Sequence, residues 1–596
     1  MKRFDLFDEL IASSALLLMA LIPVVEILAR PLLGKGVDNA PILVQHLGLV
    51  MSMFGALLAY RSGHLSSIGV IFHSFQNPAR LLSALICGLL CWASWHFVST
   101  ERSAQQILAY SIPIWLFQLV MPLGFLLLSW QIITHGLNHW VVKIAAILAI
   151  TVLSYALFDF LESSVVSMLP WLLCLLVMFL GGAPIFSIIA ALALGLFWQD
   201  GLPLSSVALS HYQITVNPSL PALPLFTLAD LIFASTGSAT RLGQVFMALF
   251  GSGVKGTVLA TTVLCSCFTA FTGGSGVTIL ARGGLLLNLL KATGYSEKKG
   301  ISLVTSASAL GVLLAPSVPL IMYAIIARVP INAMFLAGIV PAMVMVLALL
   351  IFGGYLKGEN IVKELESTHA FSWPLLKVAM WNAKWEIATP LVAIGSLVSG
   401  FATPTESAAM TAVYALVTQM FFNQELSFKQ LTQALTKCTQ IIGGVMLVLG
   451  MALGMTNYLI DAGIPDLAID WVRNITNNRY IFLLALNVFL FFAGALMEIY
   501  AAIVVLVPLL LPLALSYDIH PVHFGIIFLA NMEMGFLCPP AGMNIYFASA
   551  VFNRPLKEVA MSIAPALLAI FVGTVIISWI PLLATALPGF FNMASL

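Results

Sequence analysis

The sequence predicts an all-α polytopic membrane protein: an N-terminal four-helix membrane domain, then a larger part with two re-entrant helical hairpins. Composition is the first reason. The chain is 61% hydrophobic and 8% charged, whereas soluble domains carry roughly 25% charged residues. Long apolar runs are the second. Leu10–Ala29, Leu81–Val98, Ile112–Ile133, Pro330–Phe352 and Met561–Leu583 approach or reach the ~20 residues that span about 30 Å of hydrocarbon. The third is a pair of interruptions, Gly311-Val312-Leu313-Leu314-Ala315-Pro316-Ser317 and Gly535-Phe536-Leu537-Cys538-Pro539-Pro540-Ala541. In each, Gly is followed five residues later by Pro. Proline removes a helical hydrogen bond, and irregular backbone at membrane depth is tolerated only where it is buried in protein or lines a cavity. Matched breaks in two halves of a chain point to a substrate site between repeats.

The first part, 1–136, reads as four spans over 10–29, 41–60, 81–99 and 111–134. The loops between them carry Arg30, Lys35, Arg61, Arg80, Glu101 and Arg102. A connecting helix over 137–164 ends near Asp159 and Glu162. From 165 to 596, Gly and Pro become frequent inside apolar stretches, and Ser and Thr cluster at mid-span. Two polar segments, Tyr355–Glu386 and Phe422–Lys437, read as surface helices or loops. The longer one divides this part into halves, 165–352 and 387–596. The mixed-charge head (Lys2, Arg3, Asp5, Asp8, Glu9) lacks a small-residue cleavage pattern, so the first run reads as a retained anchor. A net charge of +1 argues against a nucleic-acid partner. The seven cysteines sit in or beside apolar runs without a chelating pattern and read as buried apolar residues.

Laying the halves over each other reveals a repeat. Thr272-Gly273-Gly274-Ser275-Gly276-Val277-Thr278 precedes the first break, and Met497-Glu498-Ile499-Tyr500 precedes the second. Each polar tip lies between two apolar arms. Those around the first tip, Val254–Ala270 and Val277–Leu290, are short for spans and fit a hairpin that turns back at mid-membrane. Two tips and two broken helices can then meet.

The chemistry of such a meeting point is that of oxygen ligands. Hydroxyls and carbonyls freed near Leu314 suit a hard monovalent cation. Glu498 with Gly535–Ala541 would make a second cage. Helix N-termini at the tips, at Gly274 and Gly276, favour an organic anion. Thr278, Ser317 and Asn544 are candidate hydrogen-bond partners for it. Glu498 is an ionisable residue between apolar runs, where charge is costly and usually functional. Arg282 either pairs with a substrate acid or snorkels to an interface, and Asp230 reads equally as a helix-end charge. Gly273-Gly274-Ser275-Gly276 also matches an intramembrane serine protease pattern. That chemistry needs a histidine on a later span. His369 lies in the polar insertion, and His520 and His523 flank Pro521 in a turn, so a protease is the remote alternative. No P-loop is present, which disfavours an ATP-driven pump.

The second part resembles the large membrane subunit of tripartite ATP-independent periplasmic (TRAP) transporters. The resemblance is carried by Gly311–Pro319 with Leu320-Ile321-Met322-Tyr323, by Phe401-Ala402-Thr403-Pro404-Thr405-Glu406-Ser407-Ala408, and by Asp518–Gly525 leading through Gly535 to Pro539-Pro540-Ala541-Gly542-Met543-Asn544. The first part resembles the small membrane subunit through Arg61-Ser62-Gly63-His64. The resemblance implies a fused small and large subunit in the bacterial inner membrane, expected as a monomer and not an enzyme. It implies an inverted-repeat, elevator-type, sodium-driven importer of a small organic acid (a carboxylate or sulfonate) handed over by a soluble periplasmic binding protein. One sodium site would use Thr272, Ser275, Gly311, Leu314 and Pro316; the other would use Gly535, Cys538 and Ala541, with Glu498 beside it. Gly274, Gly276, Thr278, Arg282, Ser317 and Asn544 remain the substrate candidates. An alternative is a related sodium- or proton-coupled organic-anion transporter that works without a binding protein. Three departures stand out: Cys538 where the family usually has Thr, Glu498 where it usually has Asp, and Gln45-His46 where acidic residues are common.

Overall fold

The computed structural model describes residues 2–34, 36–63, 65, 72–134, 139–163, 168–251, 253–272, 274–356, 372–539 and 542–591. His64, Gly273, Ala541 and the charged stretch 357–371 lie outside the described residues, as does the side chain of Thr272. The all-α class holds: among the described residues, one two-stranded ribbon, Ile107–Ala109 with Ile112–Pro113, is the only sheet. Among the described residues, ten helices are long and apolar enough to cross a membrane.

The chain forms two compact units. One comprises Met1–Leu225 with Leu431–Pro465, and the other Phe226–Gln430 with Asp466–Leu596. In the first unit the expected four spans are the helices Lys2–Leu33, Ala40–Arg61, Gln76–Ala104 and Val120–Thr134, the last preceded by the short helix Ile114–Gln118. The connecting helix is Trp140–Ser163. This unit also holds the helices Leu169–Leu180, Ile185–Gln199 and Ser205–Thr215, together with most of the long helix Phe428–Asp461. Small residues let Ala40–Arg61 and Phe428–Asp461 touch backbone to backbone. A Cβ on Gly55 would overlap the Thr439 carbonyl, and one on Gly443 would overlap Gly55 itself. Close approach through glycine substitutes for the hydrophobic drive that helices in lipid lack.

The second unit contains both interruptions. Two apolar helices, Val254–Thr272 and Ser275–Ala292, meet at the first tip. In the second half Arg479–Leu496 and Ile499–Leu515 meet at Glu498. The arms are unequal. Ile499–Leu515 is 17 residues long, whereas Arg479–Leu496 has 18 and counts by length and hydropathy among the ten candidate spans. A further break was not anticipated: Ala222–Ala234 and Ser238–Phe250 meet at 77° across Ser235-Thr236-Gly237.

Most described residues of the two polar segments are exposed or part-exposed, with a few buried exceptions. Tyr355 and Glu386 are buried at the ends of the first, whose described part from 373 on is the helix Trp373–Asn382 followed by the start of Lys384–Val398. The second becomes helical at Phe428, the start of the 34-residue helix Phe428–Asp461. Glu386 is one such exception, because it finds a part-buried arginine partner, Arg241.

Candidate functional site

The site is built by two breaks of the same local design. The helix Glu297–Leu310 gives way to a single tight turn, Gly311–Leu313, before Val318–Ile326 resumes. The Gly311 carbonyl accepts the Leu314 N–H at 3.0 Å, and the Leu314 carbonyl accepts the Ser317 N–H at 3.1 Å. The Ala315–Pro316 bond is cis. In the second half the helix Pro521–Gly535 ends, and the Gly535 carbonyl accepts the Cys538 N–H at 2.9 Å. The Cys538 carbonyl accepts the Gly542 N–H at 2.7 Å, and Met543–Phe552 resumes the helix. The carbonyls expected to be bare are therefore each engaged once. A carbonyl has two lone pairs, so each keeps one for a further ligand.

Glycine at the head of each break has a second reason. A Cβ on Gly311 would overlap the Ser266 carbonyl and lie 2.6 Å from Thr269 Cβ, both on the first arm of its own half. A Cβ on Gly535 would lie 2.6 Å from Gly494 Cα and 2.6 Å from the Phe491 carbonyl, on the arm Arg479–Leu496. Each broken helix thus presses its backbone against the arm that leads to its own tip. That shared packing is the physical content of the repeat.

The tips are held by polar contacts. Ser275, 1% exposed, lies 3.1 Å from both Oδ1 and Nδ2 of Asn544 and so links the first tip to the helix after the second break. The Thr269 hydroxyl donates to the Thr278 hydroxyl at 2.8 Å, tying the first pair of arms together. Gly274 is the N-cap of Ser275–Ala292, and Gly276 leaves room for the Phe547 ring. Glu498 is the N-cap of Ile499–Leu515, and its Oε2 accepts the N–H groups of Tyr500 (3.1 Å) and Ala501 (3.2 Å). These bonds satisfy donors that an unfrayed helix start leaves orphaned.

Other candidates sit differently. The Ser317 hydroxyl is fully buried and donates to the Val312 carbonyl, which commits it to the break. The Cys538 thiol, 9% exposed, donates to the Pro539 carbonyl at 3.5 Å. Arg282 lies two turns past Ser275, roughly 10 Å along the helix. Its guanidinium stands 4.3 Å from the Phe268 ring centroid. Leu314 and Pro316 flank the turn as anticipated from the sequence.

Sequence reasoning passed over Glu533. It is 3% exposed, one half-turn before Gly535, in hydrogen-bonding reach of Ser275 and in electrostatic reach of Glu498. The signal was present: an acid inside the apolar run Ile526–Met534, subject to the same rule as Glu498. The partly buried ion cluster around Arg241 was also missed. Arg241 bonds Glu386 at 2.6 Å and Glu425 at 2.5 Å, while the Gly237 N–H donates to Glu425 at 2.8 Å. Its three members are 184 residues apart at the widest, and no local spacing announces it.

Comparison with known proteins agrees with this architecture. The pattern of the family described as tripartite ATP-independent periplasmic transporter, DctM component, matches residues 172–583. That of the DctQ component matches 19–142. The chain belongs to the tripartite ATP-independent periplasmic transporter family, as a small and a large membrane component fused in one polypeptide. With ten apolar helices of spanning length, it is a multi-pass protein of the bacterial inner membrane. It is 30% identical over 413 residues to the isethionate TRAP transporter permease protein DctMQ of Oleidesulfovibrio alaskensis, covering 69% of this chain and 63% of that one. It is 30% identical over 404 residues to the C4-dicarboxylate TRAP transporter large permease protein DctM of Pseudomonas aeruginosa, covering 68% of this chain and 93% of the relative. The sialic acid TRAP transporter large permease protein SiaM of Vibrio cholerae is 28% identical over 382 residues, covering 63% of this chain and 87% of the relative. These relatives are permeases, not enzymes.

Proposed function

We propose that this chain imports a small organic anion, coupled to sodium entry, after a soluble periplasmic binding protein delivers the substrate. The carrying observation is the doubled break, Gly311–Leu314 and Gly535–Cys538. Each has the same three-residue carbonyl turn, and each is packed on its own arm. The donor set supports a monovalent cation: neutral hydroxyl and carbonyl oxygens, without a group of three or more His, Cys, Asp or Glu side chains arranged for a metal among the described residues. The Ser275 hydroxyl, the second lone pairs of the Gly311 and Leu314 carbonyls, and the Pro316 carbonyl serve one site. Thr272 stands beside them in sequence. The carbonyls of Gly535 and Cys538 and the second carboxylate oxygen of Glu498 serve the other, with Ala541 adjacent in sequence. Thiol sulfur is a poor sodium ligand, so Cys538 contributes its carbonyl.

Gly274, Gly276, Thr278 and Asn544 stand around the first tip, where the N-terminus of Ser275–Ala292 favours negative charge. Asn544 holds the anion there, and Arg282 lies two turns away against the Phe268 ring. The named relatives handle a sulfonate, dicarboxylates and a sialic acid, which together support an organic acid as substrate class. The halves then move as an elevator, the tips and breaks travelling with the substrate. Uptake of a labelled organic acid into proteoliposomes tests this. Transport is expected only with an inward sodium gradient and the cognate binding protein, and uptake lacking either requirement refutes the corresponding element of the reading.

A further inference from the structure

A cavity of about 30 Å³ is lined by Asp230, Ser238, Phe268, Arg282, Glu386 and Thr389 among others. It exceeds the roughly 10–15 Å³ that admits one water-sized body. Two of its acids are almost wholly enclosed, Asp230 at 4% and Glu386 at 3% exposure. Each has one carboxylate oxygen without a hydrogen-bond partner, Asp230 Oδ2 and Glu386 Oε2. The contrast within Glu386 is sharp. Its Oε1 accepts from Arg241 Nε (2.9 Å) and Nη2 (2.6 Å), Gln419 (3.3 Å) and Asn423 (3.4 Å), while Oε2 accepts from none. The network therefore crowds its donors on one side of the carboxylate and leaves the other open.

Charge counting points the same way. Asp230, Glu386 and Glu425 are three acids, and Arg241 and Arg282 are two bases. Arg241 is already shared between Glu386 and Glu425. Arg282 rests on the Phe268 ring and makes no ion pair among the described residues. One positive charge remains to be supplied to a site that water does not reach freely. Isolated buried carboxylate oxygens are too costly to leave unmatched. The Thr389 hydroxyl donates to the Trp385 carbonyl, which leaves its lone pairs available, and Ser238 adds a second hydroxyl to the lining.

We propose that this cavity is a sodium-sized monovalent-cation site, with Asp230 and Glu386 as its charged ligands and Ser238 and Thr389 as neutral ones. Hard oxygen donors and a single missing charge favour a monovalent over a divalent ion. None of these four residues is a ligand of the two sodium sites of the transport reading.

The test is equilibrium binding of radiolabelled sodium to the purified full-length chain. Wild type is compared with Asp230→Asn, Glu386→Gln and Ser275→Ala, each checked for folding by size-exclusion chromatography. Asp230→Asn is expected to bind one sodium fewer per chain than wild type, and to lose it independently of Ser275→Ala. Glu386→Gln is expected to show the same loss. Should the glutamine variant not fold, Asp230→Asn decides alone, since Asp230 Oδ2 has no hydrogen bond to lose. Undiminished sodium binding by folded Asp230→Asn overturns the proposal and assigns the missing charge to a proton. Failure of wild type to bind sodium at all would sink the sodium-coupled reading as well, so the two are told apart.

Discussion

Adding a single methyl group at Gly311 is the most direct way to test whether the breaks matter through their packing. In Gly311→Ala the new Cβ overlaps the Ser266 carbonyl, lies 2.6 Å from Thr269 Cβ and lies 2.9 Å from the Ser266 carbonyl carbon. Carbon atoms in contact prefer about 3.5–4.0 Å, so the break must retreat from its arm by about 1 Å. Two of the three obstructing atoms are backbone and cannot swing aside. Overpacking of this kind costs about 1–3 kcal/mol, a factor of roughly 5–150 in an equilibrium constant. Cation–oxygen distances tolerate only about 0.2 Å, so the Gly311 and Leu314 carbonyls would leave the cage. The expected result is at least a tenfold rise in the sodium concentration for half-maximal uptake in proteoliposomes, with the protein still folded. Gly284→Ala is the control: it sits on the helix Ser275–Ala292 with nothing within 4 Å of an added Cβ, and should transport normally. Sodium dependence unchanged in folded Gly311→Ala would refute the packing argument and with it the role of the first break.

Gly535→Ala meets Gly494 and Phe491 backbone in the same manner, and should produce a comparable loss by the same assay; a normal variant would break the equivalence of the two halves. Ser275→Ala and Asn544→Ala each remove one end of the same 3.1 Å contact, so uptake should fall in both, and the double variant should be no worse than the poorer single. Additive losses would show that the two residues act apart. Cys538→Thr offers a hydroxyl where the thiol now stands, and should strengthen sodium binding several-fold in a titration of transport; weaker binding would count against a cation at this break. Arg241→Ala leaves Glu386 buried without its main partner, a change that typically costs about 3–5 kcal/mol. A large fall in the thermal unfolding midpoint is expected, and an unaltered midpoint would show the cluster to be dispensable.

Much of the fold was legible because lipid imposes simple rules. Apolar runs had to be helices, since no other open structure satisfies the backbone in hydrocarbon. The four early spans accordingly fall on Lys2–Leu33, Ala40–Arg61, Gln76–Ala104 and Val120–Thr134. The breaks were legible because Gly and Pro act locally. What failed was inference from charge. Glu386 looked like surface because lysines and glutamates surround it in sequence, yet Arg241 draws it inside. Glu533 was hidden by its apolar neighbours, and the carbonyls of Gly311 and Leu314 were read as bare when each accepts an N–H three residues on.

Composition and the paired Gly-to-Pro spacings by themselves determined a helical membrane protein with two internal breaks in matched positions. These follow from the cost of unpaired backbone in lipid and from proline's missing donor, both of which act within a few residues. Only the tertiary structure decided that Gly311 and Gly535 each lie against their own arm, that Ser275 meets Asn544 across 269 positions, and that Asp230 and Glu386 open onto one cavity. Those relations depend on which helices pack together, and packing couples residues whose separation along the chain carries no trace of it.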